Sequence, residues 1–405
     1  MSLTLSGTNG VVGAGFSITP GGAVAGIVTV GAAVTISESG IEASGIGITC
    51  ASINGGQIGT KNKFINGDMR ISQKATSSTS ITSSANICQT LDRWTSYVND
   101  SGTYTNTQAT VTDLPGFDRS NKWEVTSADA SVAANSYLIV GQTIERNNLA
   151  DLKKGTSSAK STTVSFYVKC SITGTFLVEL SDVPNTRGIS TLYTINSANT
   201  WERKVITFPG DTSGTMTAGI SGGISVFWWL QSGSTHNSGT LQSSWQTRVN
   251  ANRAVGITNL GSTNGATWEI TGVQFETGDQ ATDFEPLDYD SQLSLCHRYY
   301  QKITGGGNCQ GVVGTGGEAA RMGFPLLKPM RAAPSVVVTG DLKCYDGTTT
   351  RTYDAVSGVY VVSAFAFDFD TGSGQATAGS AMAAGRGCVL YSNASTGGFE
   401  CTSEI

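Results

Sequence analysis

The chain has 405 residues, of which 39% are hydrophobic and only 14% charged, with 51 glycines. That length allows two or three domains with cores of their own, and the composition favours short strands and tight turns over long amphipathic helices. A net charge of −5, with no basic run or basic amphipathic helix, argues against nucleic acid and a membrane surface as partners.

Residues 1–60 stand apart: they hold no Lys or Arg, two acids (Glu38 and Glu42) and one aromatic, Phe16. Phe16–Ile36 is uncharged, but no cation precedes it as in a signal, and Pro20 with several glycines weakens a spanning helix. Val28 and Val30, Val34 and Ile36, Ile46 and Ile48 alternate with small residues, the period of strands with one apolar face. A single thin ribbon cannot bury that face, whereas three copies wound about one axis can. The expectation is an intertwined trimeric β-shaft; the alternative is a Gly-rich linker, a setting in which so many Val and Ile are rare.

At Lys61 the texture changes, and the region up to Asp290 contains all seven tryptophans, Trp94 to Trp268. Val164, Phe166, Val168 and Cys170 alternate with polar neighbours, Phe176, Val178 and Leu180 follow the Gly174 turn, and further strands are expected at Trp201–Phe208, Ile224–Gln231 and Thr267–Phe275. Short strands between Gly, Asn and Ser turns over this length predict a two-sheet sandwich or jelly roll at 61–290. In Ile224–Gln231, Ile224, Val226, Trp228 and Leu230 form the inward set, which leaves Phe227 and Trp229 on the other face with Ser225 and Gln231. Exposed rings stack on the apolar faces of sugars while polar groups fix hydroxyls, so Phe227, Trp229 and Gln231 are candidate glycan-binding residues. The competing reading packs this face against a second subunit, and a trimer accommodates both.

A helix is expected at 291–302, capped by Asp290 or Ser291, with Leu293, Cys296 and Tyr300 as its stripe, Arg298 and Lys302 near its C-terminal end, and Gly305–Gly307 as its stop. Residues 303–405 form a second β region, a tip sandwich. There Val359, Val361, Phe365, Phe367 and Phe369 share one strand face unless a Gly or bulge breaks the run. Phe399, Cys401, Ser403 and Ile405 alternate with Glu400, Thr402 and Glu404 in a last strand that needs neighbours to pair with. The eight cysteines (Cys50, Cys88, Cys170, Cys296, Cys309, Cys344, Cys388 and Cys401) include no CxxC pair. They read as free buried thiols of a reducing compartment, with one bridge among Cys344, Cys388 and Cys401 left open.

Asn66-Gly67-Asp68-Met69 with Leu91-Asp92-Arg93-Trp94 resembles the start of the jelly-roll domain of phage tail-fibre and collar-fibre proteins. Gly272–Gly278 followed by Thr282-Asp283-Phe284-Glu285-Pro286 resembles its closing strand and exit. Leu293–Lys302 resembles the helix leading to the fibre tip, and Phe324-Pro325 with Pro329–Pro334 the entry to the tip sandwich. The resemblance covers most of 61–405. It implies a homotrimeric structural fibre on a virion tail, assembled in the host cytoplasm, binding a glycan or protein of the bacterial surface. Residues 1–60 would join other virion proteins, although they depart from the anchoring domains of the larger fibres. The rival readings are a monomeric carbohydrate-binding module of a surface or secreted protein and a glycan depolymerase; for the latter no solenoid repeat is visible.

No nucleophile elbow, HExxH or P-loop is present, so no catalytic residue, metal ligand or cofactor is assigned. The two histidines lack partners in sequence: His236 sits in a Ser/Asn/Gly loop expected to be exposed, and His297 lies beside Arg298. The acids Asp279, Asp283, Glu285, Asp288 and Asp290 read as a solvated loop. Two sharper alternatives stay open, a carboxylate pair for glycoside cleavage and, with Asp68, a structural Ca²⁺ site of the kind found in jelly-roll sugar-binding modules. Receptor specificity is expected in the tip loops Gly305–Ala320 and Thr371–Gly385.

Overall fold

The computed structural model describes residues 34–37, 40–43 and 61–405, apart from Ala130 and the stretches 305–308, 315–319, 340–341, 354–357, 361–365, 371–375, 379–381 and 393–397. The chain divides into two compact units, Met1–Ile53 and Asn54–Ile405. In the first, Val34–Ser37 and Gly40–Ala43 form an antiparallel hairpin with Val34 opposite Ala43. The other strands expected of the shaft, and its threefold winding, lie outside the described residues.

The second unit is all-β. Its main body is a sandwich of two antiparallel sheets. One sheet has seven strands in the order Gln246–Thr247, Arg187–Ile195, Gly174–Asp182, Gly222–Ser232, Tyr137–Glu145, Thr95–Asn99, Ser84–Cys88. The other has six, in the order Glu202–Phe208, Thr162–Cys170, Thr267–Thr277, Arg119–Ser127, Thr103–Thr110, Ser77–Ile81. The non-sequential order follows from the period-two pattern: each strand carries one apolar row, and the rows meet between the sheets. Val164, Phe166, Val168 and Cys170 point inward, as do Ile224, Val226, Trp228 and Leu230, and all lie in one buried core. Phe64 stacks on Trp94 at 5.5 Å, and Trp94 meets Trp228 at 5.6 Å. Such aromatic pairs add about 0.5–1.5 kcal/mol each beyond their area.

The segment Asn66–Met69 forms a locked entry turn. Asn66, at φ +61°, accepts from the Ile71 N–H and donates to the Ile71 and Asp92 carbonyls. The Trp94 indole N–H donates to the Asn66 carbonyl. Gly67 is required because a Cβ there would lie 2.2 Å from the Val273 carbonyl oxygen.

The helix is shorter than the sequence suggests. It spans Tyr289–Cys296 and is capped by Asp288, whose carboxylate accepts from the Ser291 N–H at 2.9 Å. Residues 300–302, expected as helix, instead begin the strand Tyr300–Thr304. Two partners pull the chain out of the helix. Arg298 forms a bidentate pair with buried Glu145, which also accepts from the Tyr299 hydroxyl at 2.6 Å. Tyr300–Thr304 then pairs along its whole length with Gly398–Thr402.

Beyond the helix lie a three-stranded sheet and an eight-stranded one. Gly398–Thr402 is flanked on both sides, by Tyr300–Thr304 and Ser335–Thr339, with Phe399, Cys401 and Ser403 buried as their alternation predicts. The apolar run from Val359 to Phe369 is not one strand. Gly358–Tyr360 and Ala366–Asp370 are antiparallel neighbours with Val359 opposite Phe369, so the run reverses direction; Val361 and Phe365 lie outside the described residues. No disulfide joins Cys344, Cys388 and Cys401, and the buried Cys88, Cys170 and Cys296 are likewise unbridged. Burial pushes the Cys401 thiol up to about 12 and that of Cys170 to about 11, so both are protonated, inert thiols at neutral pH. Among the described residues no helix is long and apolar enough to cross a membrane.

Candidate functional site

The outer face of the seven-stranded sheet carries large apolar side chains. On Gly222–Ser232 the outward row is Ser225, Phe227 and Trp229; Phe227 pairs with Gly141 and Trp229 with Ile139 on one side, and with Glu179 and Leu177 on the other. Tyr97 pairs with Ile139 on the same face. Gly141 makes this arrangement possible, since a Cβ there would meet the Val226 carbonyl oxygen at 2.1 Å and the Phe227 ring at 2.7 Å. The Phe227 ring meets Tyr97 edge-on at 5.5 Å.

The chain from Gly233 to Leu260 folds back over half of this face. Ala254, Leu241 and Ile257 cover Trp229, which is 0% exposed. The Trp229 indole N–H donates to Glu179 at 2.7 Å, and Arg253 lies over the ring at 4.8 Å while pairing bidentately with the same carboxylate at 2.9 Å. The uncovered half is a groove of about 370 Å³ lined by Tyr97, Tyr137, Phe227, His236, Arg248 and Asn250, among others. A second depression of about 310 Å³ shares Tyr97, Val183 and Ser225 with it and reaches Arg331 and Ile405. Together they make a continuous furrow along the sheet.

The polar groups of the groove are two arginines, Arg248 and Arg253, among otherwise neutral side chains. His236 is only 8% exposed, not in an open loop as its Ser/Asn/Gly neighbours suggest. Its ring packs 5.3 Å from Trp229 and 5.5 Å from Tyr137, and its Nδ1 has no hydrogen-bond partner among the described residues. Burial, helped by the Arg253 charge, holds its pKa below the ordinary 6.5, so the imidazole is neutral at pH 7. Burial also raises the Tyr97 pKa, which keeps its hydroxyl a donor.

Of the three residues singled out from sequence, Phe227 and Trp229 line the groove and Gln231 does not. A bulge between Trp229 and Gln231 places Gln231 opposite Leu138, an inward residue, and so reverses its side. Gln231 is 0% exposed and donates towards the Ser101 carbonyl, Asp129 and Ser136. Trp229 forms part of the wall while its face is taken by Arg253. The half-buried rings of Tyr97 and Tyr137 are the ones that sequence reasoning passed over. Their signal was available: both lie one step out of phase with inward neighbours, Val98 and Leu138.

The acids near the sandwich exit are dispersed. Glu285 accepts from the Lys61 and Asn62 N–H groups, Asp288 caps the helix, and Asp68 accepts from the Gln292 amide at 2.8 Å. Among the described residues no three His, Cys, Asp or Glu side chains gather as a metal site. His297 follows the helix, away from the groove, with its pKa lowered by burial and Lys328. Much of the tip loops 305–320 and 371–385 lies outside the described residues.

No protein-family model and no curated protein matches the chain. Among solved structures, the enzymatically active domain of tailspike protein 4 of bacteriophage CBA120 matches 53% of this chain at 14% identity and a TM-score of 0.28; the match spans only 21% of that domain's own length. A putative sugar binding protein from Bacteroides thetaiotaomicron matches over 54% of this chain and 100% of its own, at 12% identity and a TM-score of 0.30. A family 11 carbohydrate-binding module of a cellulosomal cellulase from Clostridium thermocellum matches over 49% and 99%, at 11% identity and a TM-score of 0.26.

Proposed function

We propose that this chain binds a glycan without transforming it, as the adhesive, structural tail-fibre protein of a bacterial virus that docks on a host surface polysaccharide. The observation that carries the reading is the aromatic furrow on the outside of the seven-stranded sheet, where an antiparallel sheet normally presents polar residues to water. The Tyr97 and Phe227 rings offer a platform for the apolar face of a sugar ring. The hydroxyls of half-buried Tyr97 and Tyr137 and the amide of exposed Asn250 are placed to meet sugar hydroxyls. A site of this kind is shallow and weak singly, and three copies per fibre supply the avidity that adhesion needs. The motifs around Asn66–Trp94 and Gly272–Pro286 support the viral reading, in which residues 1–60 join three copies to other virion proteins.

Adsorption of particles or purified protein to host cells tests the proposal. Tyr97→Ala and Tyr137→Ala are expected to cut binding at least tenfold while the fold persists, with no sugar released from the purified polysaccharide. Unchanged adsorption in both variants would remove the furrow from the function.

A second reading, a carbohydrate-binding module of a surface or secreted protein, is favoured by one feature: the sandwich closes its core within a single chain. Light scattering on the full-length protein separates the two. A trimer is expected; a stable monomer at micromolar concentration would decide for the module.

A further inference from the structure

We propose that the glycan in the furrow is acidic, and that Arg248 is the residue that reads its negative charge. The inference rests on the furrow being the glycan site. Its basis is the charge inventory of the walls. The chain as a whole carries more acids than bases, 30 against 25, yet among the described residues the furrow is lined by Arg248, Arg253 and Arg331 with no Asp or Glu.

These arginines differ in what satisfies them. Arg253 is neutralised by the bidentate pair with Glu179. Arg331, at the far end, spends its N–H groups on three backbone carbonyls, those of Ser403, Ile220 and Glu404. Among the described residues the Arg248 guanidinium donates only to the Ser181 hydroxyl and has no carboxylate within ion-pair distance. The acids that act on it from farther away are engaged elsewhere, Glu179 with Arg253 and Trp229, Asp182 with Lys154 at 2.5 Å. A half-buried guanidinium with most of its donors unmatched, at the mouth of an aromatic groove, suits a carboxylate or phosphate bidentately. Burial and the neighbouring Arg253 also make its positive charge less favourable than usual, a strain that an anionic ligand relieves.

A ligand that engages Arg248 beside the Tyr97 ring and continues toward Arg331 is a linear chain with repeated charge, such as a uronic-acid polysaccharide or one with phosphodiester links. Neutral sugars stack on the same rings but leave Arg248 without a partner.

The test is an array of purified bacterial surface polysaccharides, neutral and acidic, probed with the full-length protein. Each acidic hit is re-examined after carboxyl reduction or dephosphorylation, which tells the two sources of charge apart. The expected result is binding confined to acidic glycans, weakened at least tenfold by removing the charge, by raising salt from 20 to 300 mM, and by Arg248→Gln, with Arg248→Lys intermediate. Tyr97→Ala should weaken every hit. If the hits are neutral, or indifferent to Arg248→Gln in protein whose unfolding midpoint is unchanged, the acidic assignment falls and the glycan site stands. If no polysaccharide binds, both fall together.

Discussion

The two outer faces of the sandwich come from strands of the same alternating design and carry opposite chemistry. On the six-stranded sheet the outward row of Thr162–Cys170 is Thr163, Ser165, Tyr167 and Lys169. Thr163 shares a hydrogen bond with Thr207, Ser120 donates to Glu269, and Lys169 pairs with Asp113 while lying over the Trp201 ring at 4.8 Å. That is a polar face, partly buried and satisfied largely by hydrogen bonds and ion pairs among its own side chains. On the seven-stranded sheet the equivalent positions are Ile139, Leu177, Phe227 and Trp229. Exposing such a row to water is unfavourable, so the chain covers half of it with residues 233–260 and leaves the remainder as a furrow. The contrast teaches that the covering segment and the furrow are one construction: the same apolar row anchors the first and floors the second.

The largest expected effect comes from removing the anchor. Trp229→Ala deletes a fully buried ring and strands the Glu179–Arg253 pair, and should cost about 3–5 kcal/mol in urea unfolding. The matched change on the polar face, at exposed Thr207, is Thr207→Ala, which should stay within about 0.5 kcal/mol. Equal costs would dissolve the distinction between the faces.

Next in size is Gly141→Ala. The added methyl has no room between the Val226 carbonyl and the Phe227 ring, so the ring must tilt or the strands part, at about 1–3 kcal/mol. Because Phe227 forms the floor, glycan affinity should fall together with stability. A variant that loses stability and keeps full binding would show that the ring's position does not matter to the ligand.

How much of this was legible beforehand depends on whether the deciding partner is local. The inward rows Val164–Cys170 and Ile224–Leu230 could be read because one strand's alternation states its own two faces. The division of Phe227 and Trp229 from Trp228 followed from the same parity. What could not be read is long-range. Nothing in the Ser-, Asn- and Gly-rich stretch around His236 says that it closes over Trp229, and so His236 looked solvated. The bulge that turns Gln231 inward exists only in the pairing with Tyr137–Glu145. The end of the helix at Cys296 is set by Glu145 and by Gly398–Thr402, each more than 100 residues away in sequence, while the Leu293–Cys296–Tyr300 spacing suits a helix by itself. Arg248 carried no signal as an anion-binding residue, because its lack of a carboxylate is a property of the assembled groove.

The smallest effect probes the edge of the covering segment by pH. His236 is held below its ordinary 6.5 by burial and by Arg253, with Glu179 acting in the opposite sense. The folded protein therefore resists a proton that the unfolded chain accepts. The stability owed to the neutral ring is present in full above about pH 6.5 and is lost as pH falls through the lower folded value. Asp92 works the other way. Burial raises its pKa from 3.8 to about 6, so its contribution is present below 3.8 and lost as pH rises through 6. The two slopes oppose each other in the wild-type curve, and a single profile would hide both. Subtracting the unfolding free energy of His236→Asn, measured from pH 7.5 to 5, cancels Asp92 and isolates the histidine. The difference should decline toward acid pH. A flat difference would mean that water reaches the ring freely, and then the 233–260 segment does not seal the apolar row as the packing around Trp229 requires.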